Sequence, residues 1–166
     1  MPFWVEQEHR DNDQHREIGI TDTEAMELVT AFRLFGSWRL DLDSGHLFGS
    51  QDFSDLFGLD HTDGPMNMAA VSAQIHPDDL NFMMSTFERA SVDKRTYHSI
   101  FRVGAEEENY RFLRTVGTFR DRPGTSGEVV GITYEFFPRR SGTAFVSADE
   151  RWPLGSPGPD DALHEK

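Results

Sequence analysis

The sequence predicts an α+β domain: five antiparallel strands, helices inserted between strands 2 and 3, and an amphipathic helix ahead of the first strand. Three observations predict it. "SWRLDLDSG" alternates apolar and polar residues and ends in a turn, the period of a half-buried strand. "TYHSIFRV", "YRFLRTVGTFR" and "GEVVGITYEFF" follow late in the chain as three strand-like runs, parted by the turn-rich "GAEEEN" and "DRPGTSG". Between these groups, "SQDFSDLFGLD" and "HPDDLNFMMSTFERASV" carry helical spacing and helix-start signals.

In chain order, residues 1–20 are polar and charged and are expected to form a flexible arm. Thr21 and Glu24 stand three apart, as a capping box needs, and open a helix predicted over 21–35. Met26, Leu28, Val29, Phe32 and Phe35 give it an apolar stripe, and Gly36 reads as its stop. The main domain is expected over 36–138. Trp38, Leu40 and Leu42 form the apolar side of its first strand, "DSG" turns the chain, and "HLFG" pairs back. Ser50 suits the N-cap of a short helix with Phe53, Leu56 and Phe57 on one face and Gly58 at its end. "HTDGPMNMAAVSAQ" reads as loop and short helix. The long helix runs to about Val92, with Phe82, Met83, Thr86, Phe87 and Ala90 as its apolar side. Residues 139–166, rich in Gly, Pro, Ser and charge, are expected to be disordered.

Composition excludes several chemistries. The chain has 166 residues, a formal charge of -13 and no cysteine. Such acidity repels phosphate backbones and anionic membranes, so nucleic acid is not an expected partner. Without thiols there is no disulfide, thiolate metal site or cysteine nucleophile. "MPFWVEQEHRDNDQHREIG" lacks the apolar core of a secretory signal, and no run approaches the roughly 20 apolar residues of a membrane span. The expectation is a cytoplasmic protein with no membrane insertion.

"QIHPDD" raises the question of a metal, since His and two Asp are ligand types. The spacing favours a helix start instead. Pro77 fits the first helical position, Asp78 and Asp79 the first turn, where the positive end of the helix dipole favours acids, and His76 the cap. No metal is expected there. His98 lies on a strand, where alternation puts Tyr97, Ser99 and Phe101 on one face and His98, Ile100 and Arg102 on the other. No phosphate-cradling glycine loop, nucleophile elbow or HExxH helix is present, so catalysis is not expected.

"FGSWRLDLDSG", "FSDLFGLD", "IHPDDL", "FRV" followed by "NYRFLRTVG", and "GEVVGITYEF" occur in an order that resembles the PAS domain family. The resemblance covers roughly Phe35 to Phe137. Leu40 stands where the subgroup with a "GxW" opening strand often has a second Trp, "GAEEEN" where it has an Asp–Gly turn, and "ITYEF" where it often ends in Asp–Ile–Thr. The resemblance implies a stand-alone sensory and regulatory protein that dimerises and touches a signalling partner such as a histidine kinase. Met26, Leu28, Val29, Phe32 and Phe35 are the candidate dimer residues. As the alternative, it implies a small organic ligand held between sheet and long helix. The candidate cavity residues are Phe53, Leu56, Met83, Phe87, Phe101, Phe112 and Tyr134, with Ser99 and Arg114 as polar handles. Haem is disfavoured, because the long helix has no histidine and Met83 and Met84 read as packing. A flavin photoadduct is excluded by the missing cysteine.

Overall fold

The computed structural model describes residues 13–31, 33–104 and 110–136. Most of the N-terminal arm, Phe32, the acidic turn and the C-terminal tail expected over 139–166 lie outside the described residues. The chain divides into two compact units, residues 1–32 and 33–166.

In the first unit, α1 spans Gln14–Glu17 and α2 spans Asp22–Thr30. Thr21 caps α2 with the full capping box: its hydroxyl accepts from the Glu24 N–H, and the Glu24 carboxylate accepts from the Thr21 N–H at 2.8 Å. Asp22 takes both Arg16 and His15, which tie α1 to α2. The helix expected over 21–35 therefore ends at Thr30, and Phe35 is a strand residue. The apolar spacing that ran on to Phe35 belongs to two elements rather than one.

The second unit holds the sheet: β1 (Phe35–Asp41), β2 (Leu47–Gly49), β3 (Tyr97–Val103), β4 (Arg111–Arg120) and β5 (Glu128–Glu135). All pairings are antiparallel, in the spatial order β2-β1-β5-β4-β3. Three helices, α3 (Gln51–Leu56), α4 (Met68–Ala73) and α5 (Pro77–Asp93), lie between β2 and β3 in the chain, as the sequence predicts.

Local chemistry starts and stops these elements. The Ser50 hydroxyl accepts from the Phe53 N–H to cap α3 and from the Ser37 N–H to pin it to β1. Gly58, at φ +65°, ends that helical turn. Asn67 caps α4. Lys94 ends α5 in the left-handed region at φ 53°. Gly36 is not a helix stop: it sits inside β1, where a Cβ would meet the Phe53 backbone nitrogen at 2.7 Å. Only glycine lets α3 lie that close on the strand.

One face of the sheet carries Trp38 and Leu40, Leu47, Phe101 and Val103, Leu113 and Val129, all buried. On it pack α3, through Phe53, Leu56 and Phe57, and α5, through Leu80, Met83 and Phe87. Phe82, expected on the apolar side of α5, is 56% exposed, because Leu80, Met83, Phe87 and Ala90 define the buried stripe a quarter-turn away.

Candidate functional site

The inner face is the place where such a sheet could hold a ligand. Its centre is Trp38. Gly131 on β5 and Gly117 on β4 lie side by side in the ladder, and Trp38 pairs with Gly131 from β1. A Cβ at Gly117 would stand 2.9 Å from Trp38 Cη2, and one at Gly131 2.6 Å from Trp38 Cε2. The two glycines thus make the slot in which the indole lies across the sheet. Trp38 Nε1 donates to Thr133 Oγ1 at 3.1 Å, Thr133 donates to Thr115 Oγ1 at 2.9 Å, and Thr115 donates to the Ile132 carbonyl at 3.2 Å. The polar atoms of Trp38, Thr133 and Thr115 are thereby each satisfied. Ser99, paired with Thr115 across β3 and β4, extends this polar stripe, but its buried hydroxyl has no partner.

Of the candidate cavity residues, Phe53, Leu56, Ser99 and Phe101 meet on this face, all buried, with Met83 and Phe87 packed at its edge. Phe53 and Phe57 meet at a tilt with ring centres 4.9 Å apart, Phe57 and Phe101 stack at 6.2 Å, and Phe87 meets Tyr97 edge-on at 6.1 Å. These rings fill the space between sheet and helices. Burial also pushes the Tyr97 phenol above its ordinary pKa.

Phe112, Arg114 and Tyr134 do not belong with them. Register places Arg114 opposite Tyr134 and Tyr134 opposite Phe35, in a row on the outer face, and Phe112 is 40% exposed. The correction follows from the pleat: on β4 it is Leu113, Thr115 and Gly117 that point inward. On the outer face Phe35 and Tyr134 stack at 5.3 Å, with the Arg33 guanidinium 5.3 Å from the Tyr134 ring centre and that of Arg114 at 6.0 Å. Arg114 Nε is buried without a hydrogen-bond partner. Phe35, a candidate dimer residue, therefore belongs to this row rather than to α2. The candidates that do lie on α2, Met26, Leu28 and Val29, are 56%, 69% and 59% exposed. Phe32 lies outside the described residues.

"HPDD" is a helix start with a reach beyond its own helix. His76 Nδ1 accepts from the Asp78 N–H at 3.2 Å, and Pro77 opens α5. Asp79 turns to β3 instead of its own first turn. It accepts from the Arg102 backbone N–H and Nε, both at 2.9 Å, and from Nη2 at 2.8 Å. The Arg102 guanidinium holds the Asp79 carboxyl below the usual carboxylate range. The His76 N–H donates to the Arg102 carbonyl, and the His76 ring meets Tyr110 edge-on at 4.9 Å. Among the described residues no cluster of His, Asp and Glu has the arrangement of a metal site. His98 is exposed on the outer face.

Sequence reasoning also passed over Ser54, His61 and Asp63, which come together in that order. Ser54 Oγ is 3.4 Å from His61 Nδ1, and His61 Nε2 is 3.7 Å from Asp63. Ser54 is wholly buried inside α3, so a substrate carbonyl has no approach to its hydroxyl.

Among the described residues no helix is long and apolar enough to cross a membrane. No curated protein matches the chain. Among solved structures it resembles an RNA-binding light-oxygen-voltage receptor at 24% identity and a TM-score of 0.56, over 66% of this chain and 31% of that one. The chain thus spans about a third of that receptor's length. It resembles a domain of a light and redox sensing histidine kinase from Haloarcula marismortui at 21% identity and 0.56, over 70% of this chain and all of that one. It also resembles a sensory box histidine kinase/response regulator from Burkholderia thailandensis at 19% and 0.52, over 68% and 84%. Likeness at this identity establishes the fold. The sequence model of the PAS fold matches residues 46–133, more than half of the chain, over β2 to β5 and every helix between them, and the chain belongs to the PAS fold family.

Proposed function

We propose that the chain is a sensory and regulatory domain of intracellular signal transduction that works through protein contacts: self-association along α2, and docking on a signalling partner such as a histidine kinase. The observation that carries this reading is the exposure of Met26, Leu28 and Val29 on α2, while the ring-filled inner face leaves the domain's surfaces to do the signalling. Adjacent exposed apolar side chains on a helix mark a contact surface. The fold relatives named as histidine kinases agree with such a role. The mechanism is a population shift: a partner or ligand that binds one arrangement of helix and sheet better raises its share, and the contacts at α2 change with it.

Sedimentation equilibrium over a range of concentrations tests the reading. The parent chain should move from monomer to dimer, and Leu28→Glu should raise the dissociation constant at least about tenfold, as for a central contact residue. A chain that stays monomeric throughout rejects self-association.

A second reading, a ligand-controlled sensor, is favoured by one observation, the partnerless Ser99 hydroxyl in the buried stripe. A small organic molecule with a hydrogen-bonding group would satisfy it. An organic mass retained by the natively purified protein supports that reading.

A further inference from the structure

The outer face of the sheet has a charge opposite to that of the chain. Arg39, Arg120 and Arg122 gather round the buried Glu128 at one end, with Arg122 also 3.6 Å from Asp41. Arg33 and Arg114 flank Tyr134 at the other. Neither of these two has an ion pair with a described residue. At the β3 edge Arg102 is paired with Asp79 and lies near Asp78; with these counted, the guanidiniums on this face still outnumber its carboxylates, in a chain whose formal charge is -13. All the cations are arginine, the cation most used at protein interfaces because its flat fork pairs carboxylates and stacks on rings.

Between the two ends the floor is apolar. Val116 and Ile132 pair across β4 and β5, Val130 pairs with Thr118, and Ile100 and Phe112 are about two-fifths exposed beside them. Resting on the reading above, that the domain acts by protein contact, we infer that this face receives a segment of a partner protein that carries carboxylates among apolar side chains. The apolar residues cover the Val116–Ile132 floor, and a carboxylate meets Arg114 and Arg33. Arg114 gains the most from such a group, since its Nε is out of water without an acceptor. Acids elsewhere on the chain repel the same segment, so attraction is confined to this face and sets the register. A polyanion such as RNA meets the surrounding negative charge over its whole length.

The test uses the isotopically labelled full chain and a short acetylated peptide of leucine and glutamate at helical spacing. A leucine–lysine peptide and a short RNA are the comparisons. The glutamate peptide should shift the backbone amide signals of Val116, Ile132 and Arg114. Its affinity should fall about tenfold in Arg33→Glu/Arg114→Glu, one decade being 1.4 kcal/mol, and fall again with added salt. Arg33 is exposed and Arg114 half-buried, so Arg33→Glu alone is the fold control: it should keep the parent's melting temperature and still bind the glutamate peptide more weakly than the parent does. Equal binding of the lysine peptide, or shifts confined to other faces, overturns the charge inference and leaves contact-driven function standing. RNA shifting the same amides more strongly overturns it too. No perturbation by either peptide overturns this inference as well, while the dimer measured by sedimentation still decides the broader reading.

Discussion

Gly131→Ala is the substitution whose outcome the geometry constrains most. Three strands meet under one indole there: Gly131 on β5 faces Trp38 on β1 and Gly117 on β4. A methyl group at 131 would stand 2.6 Å from Trp38 Cε2, well inside the ~3.5 Å at which carbon atoms rest. The Val116 carbonyl oxygen crowds it from the neighbouring strand. The indole cannot swing away freely, because Nε1 is held by Thr133 and the ring is 8% exposed among packed neighbours. Overpacking of this kind costs about 1–3 kcal/mol. Displacing the indole adds the loss of a buried hydrogen bond, about 1 kcal/mol. A sum near 3 kcal/mol corresponds to a fall in Tm of roughly 10–20 °C for a domain of this size. Thermal unfolding followed by near-ultraviolet circular dichroism, which reads the tryptophan environment, is the assay. Trp38→Leu/Gly131→Ala should lose less than the two single variants together, since the smaller side chain relieves the clash. A Gly131→Ala protein melting within a few degrees of the parent would refute the slot as described.

Other expected outcomes are as follows. Asp79→Asn should destabilise by about 2 kcal/mol in urea unfolding, because charge-assisted bonds to the Arg102 main chain and side chain are weakened together. The same variant should flatten the acid side of the stability curve. Asp79 has a folded pKa below its unfolded value of about 4, so its contribution is full above that value and is lost as pH falls through the folded pKa. Glu135 has the opposite sign: burial raises its carboxyl, so Glu135→Gln should gain stability at neutral pH and show no gain in acid, as read from melting at several pH values. Ser50→Ala should cost about 1–2 kcal/mol, since one hydroxyl serves both the α3 cap and the Ser37 N–H. Ser99→Ala should leave stability unchanged or raise it slightly in thermal melts, because it removes a buried group with no partner; a clear loss would mean that something bonds that hydroxyl.

The elements that could be read from the sequence are those fixed by short-range chemistry. The Thr21–Glu24 box, the Ser50 cap, Pro77 at the start of α5 and the alternation from Trp38 to Leu42 each declare themselves within a few residues. The boundary at Phe35 was not legible, because an aromatic there fits both a helical stripe and a strand that stacks on Tyr134. The inward face of β4 was not legible either. Phe112 and Val116 make its outer side as apolar as its inner side, where Thr115 and Gly117 stay small to admit Trp38. Hydrophobic alternation cannot orient a strand of that kind; two glycines in register with a tryptophan can, once pairing is known. The bond from Asp79 to Arg102 spans 23 residues and depends on where α5 meets β3, which no local pattern encodes.

The central claim is that the interior of this PAS domain is occupied by its own side chains, the condition on which the proposed surface-borne signalling rests. Native mass spectrometry of the protein purified without denaturation tests it most directly. The expected spectrum contains the bare chain and its dimer. A stoichiometric organic adduct, released only on unfolding, would contradict it.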